Sequence, residues 1–314
     1  MTATLEAAAP GSAPPPPPSS SLEPARPPAA PAPRRWELDF SSMLQLVAII
    51  ILGFLLQLVF VSRVQHAAAQ QQLTTQLRLT LAEGSIPVGP SDPDGALVPL
   101  GTPIAYLEIP RLDLKEVMVE GTSSSQTAQG VGHQRDTAFP GQAGNAVVMG
   151  RSGAYGGVFG GLNQLQLGDR FVVSTGQGRF TYEVSGIRNP GDPEPGAMKP
   201  TEGRMTLATA GGLPFLPDDV LRVDAKLVSA TAPKSLDAIR VGSITEAEKP
   251  LGSDTSGLVG LVFLLQLAVA AGVACVWSWK KWGRWQSWLI FVPAFLTLGV
   301  LIATPLGLLL PNLL

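Results

Sequence analysis

The sequence has very little of the two side chains that most often carry nucleophilic and metal chemistry, cysteine and histidine. It contains one cysteine, Cys275, and two histidines, His66 and His133. A single cysteine excludes a disulfide within the chain, and Cys275 lies inside a long apolar run, where it is expected to be an apolar filler. No carboxylate cluster of the kind that calcium needs is evident. We therefore expect no metal site and no organic cofactor.

Charge is also scarce, and neither sign dominates. Charged residues make up 15% of the chain and the net charge is −2, whereas hydrophobic residues make up 45%. Because there is no basic field, nucleic-acid binding is not expected, and no acidic run marks a solvating tail. This balance is typical of a membrane protein with a modest soluble part.

Three apolar runs are each long enough for a transmembrane helix, which needs about 20 residues. They cover residues 43–62, 258–279 and 288–310. The first starts far from the N-terminus, is longer than the hydrophobic region of an ordinary signal peptide, and lacks a small-residue cleavage site after it. It is therefore predicted to be an uncleaved anchor, so that the membrane itself is one partner of this protein.

Basic residues flank the predicted spans on one side. Short cytoplasmic flanks are enriched in Lys and Arg. The basic residues concerned are Arg34, Arg35, Lys280, Lys281 and Arg284. Both groups can be cytoplasmic only if the segment between the first and second spans lies outside. The pattern predicts a multi-pass cell-membrane protein with a cytoplasmic N-terminus and an extracytoplasmic C-terminus.

The segments outside the spans differ in composition. Residues 1–40 are rich in Pro and Ala and are predicted to be a disordered cytoplasmic tail. Residues 63–84 are predicted to form a stalk helix that ends at a glycine. Residues 85–101 and 229–256 are predicted to be linkers on either side of an outer domain.

That outer domain, residues 102–228, alternates short apolar runs with Gly, Pro, Asp and Asn, at a spacing of roughly ten residues. The runs are Ile104–Ile109, Val117–Val119, Asn145–Met149, Arg170–Ser174, Arg179–Ser185, Arg204–Thr209 and Val220–Val228. Gln177-Gly178 fits a hairpin turn between two of them. The pattern predicts an all-β domain, either a barrel or a sandwich.

Several segments of the outer domain resemble the sortase family, in its class D and E form. They are Ile104-Ala-Tyr-Leu-Glu-Ile-Pro110, Val119-Glu-Gly-Thr122, Gly132-His-Gln-Arg-Asp-Thr-Ala-Phe-Pro-Gly141 with Gly144-Asn145, Asn163-Gln-Leu-Gln-Leu-Gly-Asp169 and Met205-Thr-Leu-Ala-Thr209. The resemblance implies an all-β, sortase-like β-barrel outside the membrane, joined to three transmembrane helices. It also implies the activity of a cysteine transpeptidase of Gram-positive surfaces, which cuts a sorting signal of the Leu-Pro-x-Thr-Gly type and passes the acyl group to an amine.

The resemblance further implies where a nucleophilic Cys, an acid His and an oxyanion-binding Arg should lie. The Cys position, after the Thr-Leu-x-Thr strand, is Ala210, and the His position, after Gly150, is Arg151. Counting back from Ala225-Lys-Leu-Val228 puts the Arg position at Val220, with Arg222 two residues along on the same strand face. We therefore expect the nucleophile and the proton shuttle to be missing, with Arg222 as a stand-in for the cation.

Three other side chains are candidate replacements. Ser152 and Thr209 are hydroxyls next to the vacated His and Cys positions, but an unassisted hydroxyl is a weak nucleophile without a paired base. His133 matches a histidine that the family carries outside its catalytic set, and it is predicted to be structural. The glycine-rich stretch 150–161 lacks the spacing of nucleotide-binding motifs and is predicted to be a flexible loop.

Three hypotheses for the function follow. The first is a sortase-like pseudoenzyme that binds or scaffolds an extended peptide, a surface protein with a sorting signal, or a membrane protein that contacts the C-terminal helical hairpin. The second is an active transpeptidase or hydrolase that uses Ser152 or Thr209 as its nucleophile. The third is a structural membrane subunit whose β domain shields or spaces its partners.

Overall fold

The computed structural model describes residues 51–91, 96–213, 215–234 and 244–314. The predicted cytoplasmic tail and the first residues of the first predicted span lie outside these ranges.

The outer domain is a closed eight-stranded barrel, which confirms the all-β prediction and decides it in favour of a barrel. The strands are β1 (Pro103–Ile109), β2 (Leu114–Glu120), β3 (Val131–His133), β4 (Gly144–Met149), β5 (Arg170–Thr175), β6 (Gly178–Arg188), β7 (Gly203–Leu213) and β8 (Leu216–Leu227). They are hydrogen-bonded in the order β1-β2-β3-β4-β7-β8-β6-β5. The short strand β3 and the six-residue helix α2 (Ser124–Gln129) were not among the predicted elements.

The alternation of side chains along β7 separates the barrel core from the face that carries the predicted site. Met205 and Leu207 are fully buried in the core. Ala208 and Ala210 lie instead in a second apolar cluster, because successive residues of a strand point to opposite faces of the sheet. Ala210, the predicted position of the nucleophile, is therefore on the outer face of the barrel, whereas Thr209 alternates to the opposite face.

The first helix, α1 (Ile51–Glu83), contains a π-helical stretch at Gln57–Val61 and ends at Gly84, whose φ of 69° is the left-handed conformation of a helix C-cap. Its Leu73 and Leu77 pack with Val117 and Val119 of β2. The predicted stalk helix is thus docked on the barrel, because it has apolar residues on one face and the barrel offers them a partner.

Two further helices, α3 (Leu258–Lys281) and α4 (Arg284–Leu308), form a hairpin that turns at Gly283, where φ is 102°. In the part of the chain that the structure describes, three helices are long and apolar enough to cross a membrane: α1, α3 and α4. Most apolar side chains of the hairpin are exposed, as with Val273 at 68% and Leu289 at 72%. This exposure associates the hairpin with a membrane, because a large apolar surface is not stable in water.

Both predicted linkers contain segments that pack on the barrel. Ile86 belongs to the cluster under α1, and Val98 is buried. In the second linker, the 3₁₀ turn Glu246–Glu248 is closed by a capping box from Thr245. The hydroxyl of Thr122 donates a 2.6 Å hydrogen bond to the main-chain oxygen of Glu248. Tertiary hydrogen bonds and burial therefore hold these segments of the two predicted linkers against the barrel.

Candidate active-site cleft

Three neighbouring strands bring the predicted catalytic positions together. Strand β4 runs parallel to β7 with Met149 opposite Ala208, so residues 150–152 leave the sheet next to the end of β7. Strand β8 runs antiparallel to β7 and sets Val220 directly opposite Ala210. Because directly opposed side chains lie on the same face, the two positions lie side by side on one face of the barrel, and we call the surface over them the cleft.

Ala210 is nearly buried, with 8% of its surface exposed. It shares an apolar cluster with Met149, Ala208, Val220 and Leu313. A methyl group offers no lone pair for attack on a carbonyl, so nothing at this position can form an acyl intermediate.

Arg151 is fully buried and is the largest fully buried side chain among the residues that the structure describes. Its Nη1 donates to the main-chain oxygen of Leu314 at 3.2 Å, and its Nη2 donates to the main-chain oxygen of Ser124 at 3.0 Å. The guanidinium carbon lies 4.8 Å from the centre of the Tyr155 ring, within cation–π range. Burial lowers the pKa of Arg151 to about 10, so the group stays charged at neutral pH and serves as a hydrogen-bond donor.

Arg222, the predicted stand-in for the cation, is two residues from Val220 on the same strand. Arg222 is opposite Ala208 in the β7–β8 pair and is half-buried. Its Nη1 lies 3.5 Å from the main-chain oxygen of Val220, at the limit of a hydrogen bond. The strand pairing therefore brings Arg222 to the same face as the position of the predicted nucleophile.

The two hydroxyl candidates are next to the cleft. Thr209 is buried, and its hydroxyl donates to the main-chain oxygen of Gly150 at 2.9 Å. Ser152 donates its main-chain N–H to the main-chain oxygen of Leu313 at 2.8 Å. The partner of the Thr209 hydroxyl is a carbonyl oxygen, which does not take a proton as a general base does.

His133 is in a separate buried network. Its Nδ1 lies 2.9 Å from a carboxylate oxygen of Glu120, and its Nε2 lies 3.0 Å from the main-chain oxygen of Ala138. Burial lowers the pKa of His133, but the charge and hydrogen bond of Glu120 and the Ala138 oxygen outweigh it and raise that pKa above its usual value. Both ring nitrogens are thus engaged at the turn between β3 and β4.

The glycine-rich loop 150–161 is packed against the rest of the fold. Ala154 and Tyr155 are buried in a cluster with Leu58 of α1 and Ala128 of α2. Tyr155 has a φ of 50°, an uncommon conformation for an aromatic residue. The expectation of a flexible loop did not anticipate this packing, which links the cleft to the first helix.

The last residues of the chain cover the cleft, which the sequence patterns did not predict. Helix α4 ends at Leu308, whereas the predicted span continued to residue 310. Asn312, Leu313 and Leu314 are buried, with exposures of 0%, 0% and 5%. The only signal in the sequence is that Pro311 and Asn312 interrupt the apolar run, which marks the end of a helix but not its destination.

No group of three or more His, Cys, Asp or Glu side chains that could hold a metal ion occurs among the described residues.

A separate cavity of about 500 Å³ lies beside α1 and is lined by His66, Pro110, Asp113 and Glu116, among others. It is lined by none of the predicted catalytic positions.

Residues 107–223 match the family model described as Sortase domain. Sortase D of Bacillus subtilis (strain 168) is 33% identical over 84 residues, which is 27% of this chain and 41% of that protein. Sortase SrtE1 of Streptomyces coelicolor is 30% identical over 146 residues, which is 44% of this chain and 40% of that protein. The chain thus spans about two fifths of the length of these curated relatives.

Among solved structures, a Sortase D5 transpeptidase of Clostridium perfringens is similar, with 23% sequence identity and a TM-score of 0.43. The match covers 52% of this chain and 99% of that one.

Proposed function

We propose that the protein is a membrane-anchored, extracytoplasmic pseudoenzyme of the sortase family, whose domain model matches residues 107–223, and that it binds an extended peptide without cutting it. The observation that carries this proposal is the pair of side chains in the cleft. A methyl group stands in the position of the nucleophile, and a buried Arg151 stands in the position of the proton shuttle.

Acyl transfer needs a nucleophile, a group that protonates the leaving amine, and a positive charge near the oxyanion. Ala210 supplies no nucleophile. Arg151, with its pKa of about 10, remains protonated near neutral pH and cannot exchange a proton efficiently there. Arg222 meets the third need by itself, but a cation without the other two groups only binds an anion or a carbonyl oxygen.

The proposed orientation puts the barrel and the C-terminal residues on the same, outer side of the membrane. The tail after α4 supports this orientation, because Leu313 is buried in the same cluster as Ala210 of the barrel. A hairpin that leaves the barrel at residue 258 and returns to it at residue 308 crosses a bilayer twice. The basic residues Lys280 and Lys281 are at the far end of that hairpin, where the positive-inside rule expects the cytoplasm.

The proposed partners are an extended peptide or a surface protein with a sorting signal, and a membrane protein that packs on the exposed apolar faces of α3 and α4. A second candidate is catalysis by the hydroxyl of Thr209 or Ser152. The Thr209 hydroxyl donates to the Gly150 oxygen and so does not contact a base there, and the Ser152→Ala variant tests the other hydroxyl. The third candidate, a purely structural subunit, differs from the first in that it would bind no peptide.

The test is an assay of peptide cleavage and peptide binding on the same preparation. The full chain in detergent micelles is incubated with a labelled peptide of the Leu-Pro-x-Thr-Gly type and an amine acceptor, beside an active sortase. We expect no product above background and measurable binding by calorimetry. Cleavage that Ser152→Ala or Thr209→Ala abolishes would refute the proposal in favour of a hydroxyl nucleophile. An absence of both cleavage and binding, in the wild type and in Leu313→Asp alike, would favour the structural subunit, because Leu313 covers Ala210.

A further inference from the structure

The segment 310–314, which we call the tail, follows α4 and returns to the barrel. Its main chain is held by hydrogen bonds from several parts of the fold. The hydroxyl of Ser124 donates to the Leu310 oxygen at 2.8 Å, and the N–H of Ser152 donates to the Leu313 oxygen at 2.8 Å. Arg151 donates to the Leu314 oxygen at 3.2 Å. Contacts of this kind recognise the backbone of a peptide and do not depend on its side chains.

Two side chains of the tail give this contact its specificity. Leu313 is fully buried in the cluster formed by Met149, Ala208, Ala210 and Val220. Asn312 is also fully buried, and its side-chain N–H groups donate to the main-chain oxygens of Thr122, Lys249 and Ala247 at 2.6, 2.9 and 3.3 Å. The cleft thus has one apolar subsite and, beside it, one subsite for an amide donor.

The amide subsite is assembled from a distant part of the chain. The N–H of Asn312 donates to the oxygen of Gly252 at 2.8 Å, and Lys249 is in the same docked segment. The Thr122 hydroxyl connects this segment to the barrel, because it donates a hydrogen bond to the main-chain oxygen of Glu248. The docked segment 244–252 is therefore one wall of the cleft, with the tail between it and the barrel.

From these contacts we propose that the cleft over Ala210 is a peptide-binding site that the chain occupies with its own tail, so that a peptide in trans binds only after the tail has left. The ligand class is an extended peptide with a buried apolar side chain next to an amide-bearing one. This inference rests on the proposed function, because it assigns the ligand and the regulation of the same cleft.

The tail competes strongly with a free peptide for the cleft, because the tail is covalently attached to the protein. A ligand joined by a short connection acts at an effective concentration of about 1 mM or more. A free peptide must compete with that concentration, and its apparent affinity falls by the fraction of molecules in which the cleft is empty. A change that displaces the tail should therefore tighten the binding of a peptide in trans by at least about tenfold.

The first measurement is the rate at which a thiol in the tail reacts with a maleimide. Leu313→Cys is prepared in the full chain with Cys275→Ser, and Leu167→Cys serves as the control, because Leu167 is 69% exposed. We expect Leu313→Cys to react at least about tenfold more slowly than the control, since only the minor state with a displaced tail exposes it. An excess of a soluble peptide with the sequence of residues 309–314 should accelerate the reaction of Leu313→Cys and leave the control unchanged.

The second measurement is binding of the same peptide, labelled with a fluorophore, to full-length variants. Leu313→Asp puts a charge in the apolar subsite and is expected to release the tail, so binding should tighten by about tenfold or more relative to the wild type. Leu167→Asp makes the same chemical change at an exposed position and should bind like the wild type. A peptide of the Leu-Pro-x-Thr-Gly type, which shares the Leu-Pro pair of Leu310 and Pro311, is tested in parallel.

The outcomes separate this inference from the proposed function. Fast labelling of Leu313→Cys together with equal peptide binding by all variants would overturn the inference and leave peptide binding intact. Slow labelling that the peptide does not change, with no gain in Leu313→Asp, would make the tail a fixed structural element and would also overturn it. Binding of the tail peptide but not of the Leu-Pro-x-Thr-Gly peptide would support the inference and remove sorting signals from the proposed function.

Discussion

Replacing Ala210 by cysteine puts a thiol in the position predicted for the nucleophile, and we expect the Ala210→Cys protein to remain inactive. The thiol would have no acid beside it, because Arg151 stays charged with a pKa of about 10 and donates to the oxygens of Leu314 and Ser124. It would also be covered, since Leu313 shares its apolar cluster. An apolar environment keeps a thiol protonated and therefore weakly nucleophilic.

The size of the deficit follows from the missing groups. A positioned general acid contributes about 10²–10⁴ in rate, and a thiol that apolar surroundings keep protonated is a poor nucleophile. Groups that act as a unit are not additive, so these factors are not multiplied in full. We expect turnover by Ala210→Cys to be at least about 10⁴-fold below that of an active sortase.

The assay follows cleavage of a fluorogenic peptide of the Leu-Pro-x-Thr-Gly type by the full chain, with an active sortase measured beside it. Ala208→Cys is the matched control, because Ala208 lies on the same strand face and is equally apolar in its surroundings. If Ala210→Cys cleaved within about 100-fold of the active sortase while Ala208→Cys did not, Arg151 and Val220 would be wrongly assigned to the acid and cation positions.

Three further predictions concern stability and orientation. Leu313→Ala should lower the free energy of unfolding by about 2–5 kcal/mol, because it leaves a cavity at a fully buried site. The control Leu167→Ala should change the free energy of unfolding by less than about 0.5 kcal/mol. Urea titration with pulse proteolysis compares the two variants, and equal losses would contradict the burial of the tail. The pKa of His133 is raised above 6.5 by Glu120 despite its burial, so protonated His133 stabilises the fold fully below pH 6.5 and this contribution is lost as the pH rises through the folded-state pKa. The stability difference between the wild type and His133→Gln should therefore shrink as the pH rises from 6 to 8, and a difference that grows over that range would show the opposite shift. In intact cells of a variant without the native cysteine, an impermeant thiol reagent should label Leu167→Cys but not Trp282→Cys; the reverse pattern would invert the proposed topology.

Much of the barrel could be predicted from the sequence because its strands carry local signals. The apolar runs on either side of Gln177-Gly178 became β5 and β6, with Thr175 opposite Gly178. Strand β3 was not predicted because three residues are too few to show the alternation of apolar and polar side chains that marks a strand. It also pairs in parallel with β2. Parallel partners are joined by connections that leave no local turn signal.

The site was predictable only in part, and for a different reason. The assignment of Ala210 and Arg151 to the nucleophile and acid positions stays a prediction, made because each residue directly follows a short motif on its own strand. That β4, β7 and β8 bring them beside Val220 is a property of the strand order, which the motifs do not state. Nothing near Ser124 or Tyr155 in the sequence predicted that they would surround the guanidinium of Arg151, since these contacts depend on how α2 and the loop 150–161 pack.

The sequence by itself determined which atoms the cleft can use: a methyl group at residue 210 and a guanidinium at residue 151. Those identities are covalent and do not depend on the fold. Only the tertiary structure decided what lies over them. Leu313 is far from Ala210 along the chain, and its burial there requires the hairpin to return to the barrel and the segment 244–252 to dock beside it. Such contacts are held by shape complementarity and by hydrogen bonds between distant main-chain groups, which no periodic pattern in the sequence encodes.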